Sequence, residues 1–329
     1  MLNPELHLKS LIDEGERAAT RDGFGLGIID AAEKDERVVA LCADLTESLK
    51  LTEFEKRFSA RYIRLGVSEQ SLVAIGAGFA LAGKIPFVAS FAMFSPGRAW
   101  EQVRTNVCLN DANVKIVGGH AGLTVGPDGA THQALEDIAI MRCLPNMTVV
   151  VPCDAEQARK ATVAAAEMIG PVYLRLGRPK ESIVTTDQTP FEIGRAQVMR
   201  DGNDVAIIAC GAAVFEALRA ADILAEEGLE CRVINCHTIK PLDDQTLLQA
   251  ANQCGAVVTV EDHQMIGGLG SAVAELLAKH SPTPMEIVGV NDRFGQSGES
   301  AELLKEYGLT AEHIMQATHR AHKRKLPMI

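Results

Sequence analysis

The residues best suited to chemistry fall in four short blocks between apolar runs: Asp44-Leu45-Thr46-Glu47-Ser48, Gly66-Val67-Ser68-Glu69-Gln70, Ser90-Phe91-Ala92-Met93-Phe94 and the stretch from Gly118 to Gln133. The last carries His120, Asp128 and His132 among Gly122, Gly126 and Gly129. A stretch this long without an apolar period is either a functional loop or a surface loop whose Asp and His cap turns. Its glycines let backbone approach a ligand or adopt positive φ. Glu69 opens an otherwise apolar helical pattern, SLVAIGAGFALAG. There it either complements the positive helix end or, in a buried site, is pushed toward sharing a proton. Phe91 and Phe94 read as core or as a stacking platform for a ring, in a chain with only 4% aromatics.

The elements that must position these residues follow an α/β rhythm. Short apolar runs at 38–45, 85–91, 114–119, 147–153 and 172–177 read as strands of a first set. Runs at 205–211, 230–236, 256–262 and 285–290 read as a second. Helical patterns lie between them at 69–83, 98–109, 132–143, 154–168, 212–227, 267–279 and 311–324, with Asp154 as an N-cap. The chemistry-bearing blocks follow strands of the first set, where parallel sheets bind ligands. The polar stretch 178–203 breaks the rhythm and reads as a linker, so two domains are expected, 1–187 and 192–329. The fold class is therefore two α/β domains with mainly parallel sheets.

Other signals are weaker. Gly267-Gly268-Leu269-Gly270-Ser271 imitates a phosphate cradle but lacks the full glycine spacing, and reads better as close helix–strand packing. Cys231, Cys236 and His237 read as strand residues rather than metal ligands, and His263 stays open between an interface and the site. The basic run His319 to Lys325 reads as the complement of a helix end or an interface fringe.

Composition bounds the function. The 329 residues carry a net charge of −11, which argues against a nucleic-acid partner. No run of apolar residues suffices to span a membrane, and Met1 to Glu16 is polar, unlike a signal peptide. Eight cysteines without a C-x-x-C pair read as reduced thiols of a cytoplasmic protein.

Taken in order, RLGVSEQSLVAIGAGFALAGKIPFVASFAMF and GGHAGLTVGPDGATHQALEDIAIMRCLPNMTVVVPCD resemble the pyrimidine-binding domain of the transketolase family, and CHTIKPLD with VEDHQMIGGLGSAVAE is similar to its C-terminal domain. The resemblance spans about 15–325, and GPDGATHQ is its most specific part. The G-D-G…N motif through which this group holds a metal and a diphosphate does not occur; Asp22-Gly23, Asp128-Gly129 and Asp201-Gly202 all lack the preceding glycine. The opening MLNPELHLKS reads as the start of a natural subunit.

The resemblance thus implies the C-terminal subunit of a split transketolase. Thiamine diphosphate would be shared with an N-terminal subunit that carries the diphosphate-binding domain and binds Mg²⁺ or Ca²⁺, in a two-plus-two heterotetramer acting on sugar phosphates of pentose phosphate metabolism. It implies Glu69 as the catalytic glutamate at the pyrimidine nitrogen, Phe91 and Phe94 around that ring, and Asp44 near the thiazolium ring. His132 would polarise the donor carbonyl and Asp128 would read the donor hydroxyl. Arg21, Ser48, His120 and Arg178 would grip the phosphate. Gly97 stands where the family has a third aromatic, and Pro127 and Ala130 where it has an acidic residue and a proline. Deoxyxylulose-phosphate synthase and the beta chain of 2-oxo acid dehydrogenases share the Glu69 region and form the alternative. Retention of Glu69 and the histidines speaks against a catalytically silent scaffold of the same fold.

Overall fold

Long uninterrupted apolar runs require cover on both faces, and the structure supplies it. This computed structural model describes residues 2–9 and 16–325; residues 1, 10–15 and 326–329, which include parts of the polar opening stretch and of MLNPELHLKS, lie outside the described residues. Seven strands form the first sheet, in the order Thr238–Lys240, Thr148–Val150, Val172–Arg175, Lys115–Gly119, Ile85–Phe91, Val38–Ala43, Tyr62–Leu65. All neighbours are parallel except Thr238–Lys240, which runs antiparallel on its edge. The second sheet has the order Met285–Val290, Val257–Gln264, Val205–Ala209, Cys231–Asn235, Gln197–Arg200, the last antiparallel. Every residue of Val38–Ala43 and of Val205–Ala209 is buried, as expected of strands covered by helices on both sides.

The expected strands are all present: Ile85–Phe91 and Met285–Val290 keep their bounds, Val257–Gln264 runs two residues further, and the others are trimmed. Tyr62–Leu65, Gln197–Arg200, Thr238–Lys240 and the antiparallel pair Arg17–Ala18 with Glu181–Ser182 are additional, and Glu181–Ser182 and Gln197–Arg200 lie inside the stretch read as linker. These are short strands at sheet edges, where pairing rather than an apolar run defines the strand. The helix expected at 98–109 is a short α-turn, Trp100–Gln102, that widens into a π-helix, Val103–Cys108. The one expected at 132–143 begins only at Asp137, because the residues before it belong to the long loop. Asp154 caps Ala155–Glu167 by accepting from Gln157 N at 2.8 Å.

The helix Thr20–Lys34 was not legible, since glycines at 23, 25 and 27 lower helix propensity. Packing explains them: a Cβ on Gly23 would lie 1.8 Å from Ala155 O, and one on Gly27 2.6 Å from Arg159 O. The two helices meet nearly backbone to backbone, which brings Arg21 to the sheet's carboxyl edge.

The glycine-rich imitation of a phosphate cradle is filled from within. Glu261 accepts from Leu269 N and Gly270 N, each at 2.7 Å, so a carboxylate sits where a phosphate would. Cys236 and His237 follow their strand; Cys236 Sγ donates to Thr238 O, and His237 packs on Phe191 with centroids 4.5 Å apart. His263 is fully buried and its Nε2 accepts from Ala139 N. In the basic run, Arg320 and Arg324 pair with Glu286, and His319 with Glu227.

Candidate active site

Because the strands of the first sheet are parallel, the segments leaving them emerge along one edge. Asp44 follows Val38–Ala43, Glu69 opens the helix after Tyr62–Leu65, Phe91 ends Ile85–Phe91, His120 follows Lys115–Gly119, and Arg178 follows Val172–Arg175. Asp44 and His120 have left-handed backbone, with φ of 58° and 53°. Both turn the chain sharply at the strand ends.

Three of the residues assigned to a phosphate grip come together. Arg21 Nη1 donates to Ser48 O at 2.8 Å and to His120 Nε2 at 3.3 Å. Ser48 therefore takes part through its carbonyl. His120 is 3% exposed and stacks on Phe91, with centroids 3.9 Å apart. Burial, then the charges of Arg21 and Arg178 and the nearby His132, pull its pKa down to about 3. Its Nδ1 and the Nε of Arg21 are buried without partners. Burial also lowers the Arg21 pKa, with Arg178 adding to the effect.

Arg178 is turned onto the long loop. Its Nη1 donates to Val125 O at 2.6 Å and lies 3.6 Å from Asp128 Oδ1. His132 Nδ1 is 3.0 Å from Thr131 Oγ1, and its ring stands edge-on to Phe94 at 5.4 Å. Phe91 and Phe94 lie 6.4 Å apart, and the Arg98 guanidinium sits 5.5 Å over Phe94. One face of Phe91 is thus taken by His120, and Phe94 is the ring that borders open space. That space is a cavity of about 600 Å³, lined among others by Met93, Phe94, Gly97, Arg98, Gln133 and Phe294. Gly97 is glycine for a local reason, because a Cβ there would lie 2.0 Å from Met93 O.

Glu69 is 3% exposed, and no hydrogen bond among the described residues engages its carboxylate. Its oxygens are not among the fully buried atoms that lack a partner, so the carboxylate opens onto the edge, where a ligand can bring a donor to it. Asp44 is exposed at the same edge, and its side chain forms no hydrogen bond or ion pair with the other site residues. Sequence reasoning gave no role to Arg98, Gln133 or Asp262. Gln133 closes the GPDGATHQ block, which was its one available signal. Asp262 lies 138 residues from Thr124, whose hydroxyl it binds, and carried none.

Two family models match the chain in order. Residues 16–181 match the pyrimidine-binding domain of transketolase, and 194–314 match its C-terminal domain. The chain is 46% identical, over 89% of its length and 93% of the relative's, to a Methanocaldococcus jannaschii protein named as a transketolase C-terminal section. It is 42% identical, over 93% of its length and 95% of the relative's, to a 6-deoxy-6-sulfo-D-fructose transketolase subunit of a Clostridium species. A solved split-gene transketolase, an inactive beta4 tetramer, matches with a TM-score of 0.89 at 45% identity over 94% of this chain and 99% of that one. With both domains matched in order and relatives of the same length, the chain belongs to the transketolase family, as a subunit of the split, C-terminal type.

Proposed function

We propose that this chain is the subunit of a thiamine-diphosphate-dependent transketolase that moves a two-carbon ketol unit from a ketose phosphate to an aldose phosphate. It acts together with a partner subunit that carries the diphosphate-binding domain and the Mg²⁺ or Ca²⁺. In this reading the pyrimidine-binding unit spans 1–187 and the C-terminal unit 192–329, two copies of each chain form the enzyme, and it works in the cytoplasm, a location that the free thiols support. The carrying observation is Glu69, a residue 3% exposed whose carboxylate bonds to no described residue, at the edge that also holds the ring cluster and the Arg21–His120 pair.

When bound, thiamine diphosphate supplies the carbanion-stabilising centre that carbon–carbon cleavage beside a carbonyl needs. Glu69 would hold the pyrimidine ring at its nitrogen, with a proton between them. Phe94 and Phe91 would give that ring its apolar wall. Asp44 offers a carboxylate at the same edge for the thiazolium cation. His132, whose Nδ1 meets Thr131 Oγ1, would polarise the donor carbonyl, while Asp128 would read the donor hydroxyl. Arg21, Arg178 and the Nδ1–H of His120 supply donors for the phosphate dianion, with forked charge-assisted bonds from the arginines.

The test is reconstitution. The chain with its partner subunit, cofactor and Mg²⁺ transfers ketol units between sugar phosphates, and the chain alone does not. Glu69→Gln keeps the fold and lowers turnover of the complex by about 10²–10⁴-fold, the usual weight of one placed acid–base group. Metal-dependent turnover by the single chain overturns the split-subunit reading. Retention of more than about a third of the activity in Glu69→Gln, set against that range, overturns the cofactor assignment.

A further inference from the structure

In an open parallel sheet a ligand crevice lies outside the carboxyl ends of the strands where strand order reverses. In the second sheet that point lies between Val205–Ala209 and Val257–Gln264. Here the crevice is filled by the long loop of the first unit. Asp262 accepts from Leu123 N at 2.9 Å and from Thr124 Oγ1 at 3.3 Å. A Cβ on Gly122 would lie 2.1 Å from Asp262 Oδ2, so the loop backbone is pressed onto that carboxylate. The spaces left beside it are about 30 and about 40 Å³, enough for ordered water only.

The segment 295–300 closes on the loop's other flank. Gln133 Nε2 donates to Leu123 O at 3.1 Å, Gly126 O at 3.3 Å and Gln296 O at 2.9 Å. Ser300 Oγ donates to Thr124 O at 2.9 Å. Cβ atoms on Gly295 and Gly129 would lie 1.9 Å from Gln133 Oε1 and 2.5 Å from Ser297 Oγ. The loop itself is two short 3-10 pieces within Leu123–Asp128, joined at a kink at Gly126 and bounded by glycines with φ of 84° and 77°. Such a segment has little stability of its own.

We infer that the C-terminal unit is the brace that sets the shape of loop 122–133, with Gln133, Asp262 and Ser300 as positioning residues for Asp128 and His132. The consequence for catalysis, donor selection, rests on the reading of those two residues given above. The brace itself rests on the contacts just described. The second unit's own crevice is then a holder for the substrate loop and takes no small ligand.

Gly295→Ala with Ser300→Ala tests this, since neither residue lines the reaction site; the first pushes Gln133 aside and the second removes the hydroxyl on Thr124 O. Hydrogen exchange of the isolated chain should quicken by about tenfold or more across 121–133 while Val38–Ala43 and Val205–Ala209 keep their protection. In the complex, the donor KM should rise roughly 5–50-fold with kcat and cofactor affinity held within about twofold. Ser300→Thr, which keeps the hydroxyl, should behave as the native chain. Unchanged exchange across 121–133, or exchange that rises equally in both sheets, overturns the brace. Faster loop exchange with an unchanged donor KM overturns its role in donor selection. A native complex that transfers no ketol unit at all counts against the proposed function, and the exchange measurement still decides the brace.

Discussion

Arg21 Nη1 and His120 Nε2 are 3.3 Å apart, and because a guanidinium only donates, the imidazole nitrogen facing it must be the acceptor. His120 is therefore neutral with its proton on Nδ1, the atom that is buried without a partner. Neutrality follows from burial first and from Arg21 and Arg178 after it, which hold the pKa at about 3. Imidazole ¹⁵N spectra should show one Nδ1–H tautomer from about pH 5 to about pH 9, outside which the usual His transition does not fall. Arg21→Met should move the His120 pKa upward. Titration of His120 near the ordinary value in the native chain contradicts the pairing.

Arg178 spends Nη1 on Val125 O and keeps its remaining donors for a ligand. Arg178→Ala should raise the KM for phosphorylated donors by about 10–150-fold, the weight of one charge-assisted contact. Hydroxypyruvate, which lacks the phosphate, should lose no more than about threefold, through the slackened loop. Steady-state kinetics on both donors separates the effects. Equal losses would make Arg178 a loop tie alone.

The approach of Thr20–Lys34 to Ala155–Glu167 leaves no room for a side chain at Gly23, whose Cβ would meet Ala155 O at 1.8 Å. Gly23→Ala should cost about 1–3 kcal/mol, as overpacking does, despite alanine's better helix propensity. Urea unfolding measures it. A stabilised variant would show that the helices have slack between them.

His237 is fully buried against Phe191, and burial lowers its pKa from 6.5 to about 4. Between those values the unfolded chain binds a proton that the native chain does not. The native fold thus has its full margin above about pH 6.5 and loses it as the pH falls toward about 4. Relative to His237→Gln, the native chain should lose about 2 kcal/mol between pH 7 and about pH 5. Paired urea titrations at the two pH values read the difference; a gap that does not change with pH would mean that His237 is not titrating in this range.

Much of the frame was legible because its determinants are local. Runs such as VVALCA and VAIIA can be satisfied only between helices, so they announce parallel strands wherever they occur. Asp154 announces a helix start through its own side chain. Glu69, Phe91 and the glycines of the long loop stand out by residue type in their segments. The same reasoning missed Thr20–Lys34, whose glycines argue against a helix until the backbone of Ala155–Glu167 is placed against them.

By itself, then, the sequence determined the two-unit α/β frame, the edge of the first sheet where chemistry concentrates, and the residue types offered there. Which atoms of those residues are used was decided only by the tertiary structure. Ser48 contributes a carbonyl, Phe91 gives a face to His120, and Arg178 turns to Val125. The grip of Asp262 on Leu123 and Thr124, across 139 and 138 residues of chain, belongs wholly to that level. Periodicity and capping report on neighbours within a few residues. A hydrogen bond between a loop of one sheet and a strand end of another exists only after both sheets have formed and docked.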